Sequence, residues 1–416
     1  MTAPDQGSTQ ASTYFRKGFG LKGEVEGTLA ADYDGSLVDF LRENDHTLTV
    51  EGVTVRLARE FGFCYGVERA VEYAYQTRRK FPDRRIRLVG EIIHNPHVNR
   101  RLGEMGIEIL APGQDADGKP VFDYRDVSPE DVVILPAFGV TIRDFETLRG
   151  LGCIVVDTTC GSVLNVWKRV DSYARDGFTA LIHGKHYHEE TRATASQVER
   201  YPDGQHLVVR DMTEAQLVCD YIEGRGSREA FMATFARAVS SGFDPDTHLR
   251  RIGVANQTTM LARESLAIGE EVGRAIARRY GDEYRAANFR TFDTICSATQ
   301  DRQDAVMELL AEPLDAMVVI GGYNSSNTIS LAALCAEQVP TYHVEDATSI
   351  DPATHRIDFR PAGIKHTEAS KTGWIPDGES VRIGLTAGAS TPNNKIGETV
   401  VRIFATRGID IRALGV

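Results

Sequence analysis

Cysteine is scarce in this chain: six in 416 residues, no two of them in a CxxC or CxxxC arrangement. That excludes the disulfide framework of a small secreted domain, and also the tight ligand spacings of zinc ribbons and bacterial ferredoxins. Any metal site must gather its thiolates from distant segments. Basic charge is in deficit as well. Lys and Arg number 47 against 59 Asp and Glu, a net charge of -12, so no nucleic-acid partner held by a broad basic face is expected. No apolar run approaches the roughly 18 residues of a membrane span, so no membrane contact is expected. The opening MTAPDQGSTQASTYFRKG has no apolar stretch of the kind a secretory signal needs and reads as a polar tail. The expected location is therefore cytoplasmic, where thiols stay free or bind metal. Nucleotide loops are missing too: Gly321-Gly322 is a lone pair without G-x-G-x-x-G spacing.

What remains is an ordinary globular composition, 42% hydrophobic and 25% charged, in a chain long enough for about three domains. Short apolar runs at 85–93, 132–137, 153–157, 179–182, 251–255, 316–320 and 381–385 alternate with helical patterns. Most are continuous rather than alternating, as strands buried on both faces require. The expected fold class is α/β with mostly parallel sheets. Residues 220–250 and 345–380 are more polar and read as peripheral insertions.

A threefold repeat organises the chain. Cys64, Cys160 and Cys296 each precede a short polar turn and an amphipathic helix. The apolar stripes are Val67, Ala70, Val71 and Ala74 after the first, Val163, Val166, Trp167 and Val170 after the second, and Val306, Leu309 and Leu310 after the third. At nearly the same interval after each cysteine come His94, His188 and Ser325, at or just beyond strand ends. A third loop follows in each unit, carrying Phe138, Thr258 and Ser390. The units are expected at 51–150, 151–290 with the insertion 220–250, and 291–400, flanked by an N-terminal extension, 1–50, and a C-terminal tail, 401–416. Ligands bind at the carboxyl edge of open α/β sheets. Three pseudo-threefold-related units, arranged as a trefoil, would aim all nine loops at one centre.

Three convergent thiols suit a zinc ion with an open position, or a [4Fe–4S] cluster with one iron lacking a protein ligand. Zinc is the less attractive, because catalytic zinc sites usually add His or carboxylate. Each cysteine precedes a helix, whose N-terminus is expected to favour thiolate. His94, His188, Ser325, Asn327 and Ser390 are short donors of the kind that bind phosphate without a basic patch. Glu190 is the evident proton source, with Thr258 and Asn327 placed to relay a proton or orient a hydroxyl.

The segments GFCYGVERAV, EIIHNPHVNRRL, LPAFGV, DTTCGSV, HEETRATAS, ANQTTML, TICSATQDRQDAV, GGYNSSNT and TAGAS resemble, in order, those of the 4-hydroxy-3-methylbut-2-enyl diphosphate reductase (LytB) family. FRKGFG, LPAFG and the 220–250 insertion resemble its longer cyanobacterial and plant subgroup, and the lack of a normal-length transit peptide favours a bacterial cytosolic enzyme. The resemblance implies a trefoil of three α/β units around a central [4Fe–4S] cluster held by Cys64, Cys160 and Cys296. It places His94, His188, Ser325, Ser326, Asn327, Ser390 and Thr258 on the substrate, and Glu190 with Thr258 on proton delivery. The implied reaction is the last step of the methylerythritol phosphate route to isoprenoids. An allylic hydroxyl leaves as water, two electrons enter through the cluster, and protonation at either allyl end gives isopentenyl or dimethylallyl diphosphate. An external donor such as ferredoxin or flavodoxin must supply the electrons. One departure is Phe138, where many members carry His, so that loop lacks a donor.

Cys153, Cys219 and Cys335 read as buried small hydrophobes, and His97, His183 and His186 as structural. The arginine clusters at 78–80, 84–85 and 100–101 read as solvated faces, one of which could dock an acidic electron carrier. Two other functions fit three cluster-binding cysteines: a non-redox dehydratase or synthase of the quinolinate synthase type, and an iron–sulfur sensor. The first needs carboxylate-binding donors and gives no reason for HEET and NSSN together. The second needs a DNA-binding element, which the sequence lacks.

Overall fold

Three parallel sheets, each built on the same strand order, carry the structure. A computed structural model describes residues 13–115, 120–292, 294–363 and 367–414, so most of the expected N-terminal tail lies outside the described residues. In the first sheet the order is Ile107–Leu110, Ile86–Val89, Val132–Leu135, Ile154–Asp157. In the second it is His206–Val209, Thr179–His183, Ile252–Asn256, Phe289–Thr291. In the third it is Thr341–Val344, Ala316–Ile320, Val381–Ala387, Val53–Leu57. Every one of these pairings is parallel. The central strands (VVIL, IGVAN, AMVVI) are buried throughout, as continuous apolar runs covered by helices on both faces should be. The molecule is thus an α/β trefoil, as the repeat implied.

The sheets cut across the expected unit boundaries. The strand leading into each cysteine belongs to the preceding sheet: Val53–Leu57 completes the third, Ile154–Asp157 the first and Phe289–Thr291 the second. The third strand of each sheet has an open hydrogen-bonding edge, and the chain satisfies it before crossing to the next unit. Each cysteine therefore sits on a crossover between two sheets. Of the strands that the apolar runs do not pick out, Ile107–Leu110 and Phe289–Thr291 are short and largely exposed, so they lack a continuous apolar signature; Val53–Leu57 alternates in burial, and His206–Val209 and Thr341–Val344 are mostly buried but only four residues long.

The helices that follow the cysteines are Tyr65–Lys80, Gly161–Arg175 and Ser297–Leu310. Their apolar stripes are buried as expected, except that Val67 and Trp167 are half-buried. Trp167 Nε1 donates to Thr194 Oγ1 at 3.2 Å, so its rim position has a polar reason.

Two expectations are corrected. Residues 220–250 are no peripheral loop: they contain helices Arg228–Phe235 and Pro245–His248, and Phe231, Phe235 and Phe243 are buried in the second unit's core. Their phenyl groups outweigh the polar average of the segment. Residues 401–416 do not begin a tail either. Helix Asn393–Ala405 runs through the boundary, and Ile403, Phe404, Ile409 and Ile411 are buried against the third sheet. The N-terminal extension bridges two units. Tyr14–Phe15 adds an edge to the first sheet, and Thr47–Val50 pairs antiparallel with Val53–Leu57 in the third. Within 345–380, Ile350–Asp351, Arg356–Phe359 and Ala369–Thr372 form a small antiparallel sheet; residues 364–366 lie outside the described residues.

Candidate active site at the junction of the three sheets

In an open sheet of this order, the carboxyl ends of the two central strands splay apart and leave a crevice. All three crevices face one another. Ile86–Val89 leads to His94 and Val132–Leu135 to Phe138. Thr179–His183 leads to His188 and Ile252–Asn256 to Thr258. Ala316–Ile320 leads to Ser325 and Val381–Ala387 to Ser390. The fourth strand of each sheet leads to a cysteine.

Cys64, Cys160 and Cys296 are the N-cap residues of their helices, each with extended backbone, and all three are free thiols. Hydrogen bonds tie their loops together. Arg302, on the helix after Cys296, donates through Nη2 to the carbonyls of Gly62 at 2.6 Å and Phe63 at 3.2 Å, just ahead of Cys64. Arg69, on the helix after Cys64, donates to Thr159 O at 2.6 Å, just ahead of Cys160. Gly66 is required by this approach: a Cβ there would stand 2.5 Å from Cys160 Sγ and 3.9 Å from Cys64 Sγ. The expectation that helix N-termini favour thiolate is not met at two positions. Burial pushes the Cys64 thiol up and the Cys296 thiol up to about 11, outweighing hydrogen bonds from the helix amides and Thr299. Each thiol also feels another: Cys160 acts on Cys64, and Cys64 on Cys296. Like groups gathered in a low-dielectric pocket stay neutral unless a cation takes their protons' place.

Glu190 lies beside this cluster and adds to the raising of the Cys296 thiol. It is 2% exposed. Thr258 donates to it twice, from its amide to Oε1 at 2.6 Å and from Oγ1 to Oε2 at 2.9 Å. Burial nevertheless pushes the carboxyl up to about 7, against the lowering pull of those bonds and of His94. A carboxyl poised there can serve as a general acid at neutral pH.

The remaining donors form a cradle across the three units. The Glu190 amide donates to His188 Nδ1 at 3.1 Å, so His188 carries its proton on Nε2. That Nε2 lies 3.3 Å from His94 Nε2, and His94 Nδ1 lies 2.9 Å from Glu91 Oε2. Burial first, then His94 and Lys185, hold His188 well below the ordinary histidine range, so it is a neutral donor. Ser390 Oγ donates to His94 O at 3.1 Å, and Asn327 Oδ1 accepts from Ala389 N at 2.9 Å. Ser325 caps helix Ser326–Ala336. Asn327 Nδ2 is buried with no hydrogen-bond partner among the described residues, which leaves a donor ready for a ligand oxygen. Phe138 is the apolar wall of this cradle. Its ring stacks on His94 at 4.2 Å and meets His188 edge-on at 5.8 Å.

All the sequence-selected site residues thus lie at this junction. Glu91, Asn324, Lys185, Gly66 and Arg302 also shape the junction, Asn324 Nδ2 donating to Glu91 Oε2 at 3.0 Å; the sequence pattern does not single them out, although all but Arg302 stand within three residues of a selected one. Among the described residues the three thiols are too far apart to share one ion. His94, His188 and Glu189 are near enough, but the hydrogen bonds just described already account for both imidazoles. Cys153, Cys219 and Cys335 are buried elsewhere. The arginine clusters hold structure as well as solvent: Arg78 clamps the carbonyls of Pro82 and Gly106, Arg85 pairs with Asp131 and Arg101 with Asp32.

Comparison with known proteins follows the same geometry. The family described as LytB protein matches residues 55–404. A 4-hydroxy-3-methylbut-2-enyl diphosphate reductase of Gloeobacter violaceus is 49% identical over 96% of this chain and 94% of its own length. The one from Thermosynechococcus vestitus is 47% identical over 96% of each chain. A solved structure of (E)-4-hydroxy-3-methyl-but-2-enyl diphosphate reductase, the terminal enzyme of the non-mevalonate pathway, superposes with a TM-score of 0.51 at 27% identity, covering 85% of this chain and 99% of its own. The Plasmodium falciparum reductase structure, at 20% identity and a TM-score of 0.58 over 83% of this chain and 86% of its own, shares the fold.

Proposed function

This chain belongs to the LytB protein family, and from that premise we propose that it removes the allylic hydroxyl of (E)-4-hydroxy-3-methylbut-2-enyl diphosphate as water. Two electrons and two protons enter, and isopentenyl and dimethylallyl diphosphate leave, as the last step of the methylerythritol phosphate route. The observation that carries the reading is the junction of Cys64, Cys160 and Cys296 with one buried carboxyl, Glu190, held by Thr258.

The family is an iron–sulfur one, and the donor set fits such a group. Three free thiols sit at three helix starts, too widely spaced for a single ion. Cys64, Cys160 and Cys296 would hold a [4Fe–4S] cluster. When bound, it supplies electron transfer and an iron without a protein ligand as a Lewis acid. The rest is the work of this chain's own side chains. His94, His188, Ser325, Ser326, Asn327 and Ser390 bind the diphosphate through their side-chain donors. Their loops come from all three sheets, which fixes the substrate's orientation. Glu190, protonated below about 7, passes its proton toward the departing hydroxyl, with Thr258 Oγ1 in line at Oε2. Burial of Glu190 and Thr258 keeps bulk water from short-circuiting that transfer. With no flavin or nicotinamide motif in the chain, a soluble carrier of the ferredoxin or flavodoxin type delivers the electrons, in a reducing cytoplasm. Among the described residues no helix is long and apolar enough to cross a membrane.

Incubation of anaerobically purified protein with the hydroxylated diphosphate and a low-potential reductant is expected to yield both five-carbon diphosphates. Absence of either product in the presence of bound iron and sulfide would refute the reading. A second expectation concerns Gly66. Gly66→Ala places its Cβ 2.5 Å from Cys160 Sγ, displacing one ligand while leaving the helix core intact. Iron content is expected to fall by more than about half with little change in circular dichroism, since overpacking costs on the order of 1–3 kcal/mol locally.

A further inference from the structure

The cradle has a charge problem. Its hydroxyls and Asn327 are neutral, and His188 is held neutral by burial. A diphosphate brings more than one negative charge into that space, and uncompensated charge in a protein interior is costly. The start of helix Ser326–Ala336 offers only about half a positive charge. The fixed charges nearest His94 have the wrong sign: Glu91 Oε2 lies 2.9 Å from Nδ1 and Glu189 Oε2 3.5 Å from Nε2. The first sheet, through Phe138, offers a phenyl face.

Among the described residues one ammonium group reaches the cradle from another direction. Lys185 stands two residues beyond strand Thr179–His183 of the second sheet. Its backbone is anchored, the amide donating to Gln257 Oε1 at 3.1 Å. Its side chain crosses to the third unit, where Nζ donates to Ser326 Oγ at 3.0 Å. Its charge is also felt at His188, so the ammonium lies between the second unit's histidine and the third unit's serine. Asn327, the next residue, has its buried Nδ2 without a partner. A ligand oxygen that meets both Asn327 and Ser326 comes within reach of Lys185.

We infer that Lys185 is the cradle's fixed cation, pairing with the diphosphate of the substrate beside Ser326 and Asn327. This rests on the reaction proposed above and adds to it a source of charge selectivity. Neutral donors alone would accept a monophosphate or a diphosphate with little preference. A lysine at the end of the cradle favours the more highly charged group, because a charge-assisted bond is roughly twice as strong as a neutral one.

The test compares holoenzyme carrying Lys185→Met, Lys185→Arg, or, as an exposed control, Lys168→Met. It measures KM and kcat for the hydroxylated diphosphate and, by calorimetry, the binding of inorganic pyrophosphate and inorganic phosphate. Lys185→Met is expected to raise KM and the pyrophosphate Kd by about tenfold or more with kcat within about threefold, the pattern of lost binding that is equal in ground and transition states. Its preference for pyrophosphate over phosphate should narrow by a similar factor, while iron, sulfide and visible absorption stay those of the wild type. Lys185→Arg should recover most of the loss, and Lys168→Met should behave as wild type. KM and pyrophosphate Kd within twofold of wild type in Lys185→Met would overturn the inference, as would a fall in kcat at unchanged KM. Those outcomes leave the reaction itself standing; only failure of the wild type to turn over would remove the reading beneath it.

Discussion

Replacing Cys64, Cys160 or Cys296 singly by serine is expected to reduce bound iron and acid-labile sulfide from about four of each per chain to less than about a quarter of that, with turnover lost in parallel. The reason is geometric. Each thiol is the N-cap of a helix that also carries part of a unit's core, so neither neighbouring sulfur can move to replace the missing one. Other cysteines are too far inside to help. Cys219 lies in the second unit's core and Cys335 between the third unit's helices. Cys153 donates to Leu148 O at 3.4 Å on the far side of the first sheet. Replacing any of these three should therefore leave iron and sulfide at wild-type levels while costing some stability. Iron and sulfide assays on anaerobically purified variants decide the matter. Chelatable zinc without sulfide in the wild type, or full iron in any of the three serine variants, would contradict the cluster assignment.

Glu190→Gln is expected to lower kcat by about 10²- to 10⁴-fold, the usual worth of a positioned acid, with iron content unchanged. The pH profile carries the sign. The folded carboxyl sits near 7, above its usual value, because burial favours the neutral form. It is protonated, and therefore able to donate, below that value. Wild-type kcat should hold at lower pH and fall as pH rises through about 7, and the Gln variant should lack that limb. The same displacement bears on stability. A folded value above the unfolded one gives stability that is fully present at pH below the unfolded range and is lost as pH rises toward 7. Thr258→Val tests the relay, since it removes the Oγ1 bond to Oε2 but keeps the amide bond to Oε1. Turnover in Glu190→Gln within threefold of wild type would take Glu190 off the proton path.

The cysteines, histidines and serines of the site were legible because each recurs at a fixed place in a repeat, and a repeat survives changes in everything around it. The alternation of buried runs and amphipathic helices likewise identified an α/β chain. The boundaries were not legible. Strand Phe289–Thr291 has only three residues and little burial, so nothing local says that it closes the second sheet. In 220–250 three buried phenylalanines are hidden in a polar average, so its share in the core has no local signature.

The sequence alone determined which groups are available: three thiols before three helices, one carboxyl beside a histidine, and short phosphate donors at strand ends. Spacing and residue type suffice for that, because both are properties of a single segment. Tertiary structure decided what those groups are worth. Crossovers between sheets brought loops from three units to one point, and removal of water there raised the carboxyl and two of the thiols. A lysine from one sheet came to lie against a serine of another. Desolvation and contact between distant segments depend on every surrounding atom, so no single segment can encode them.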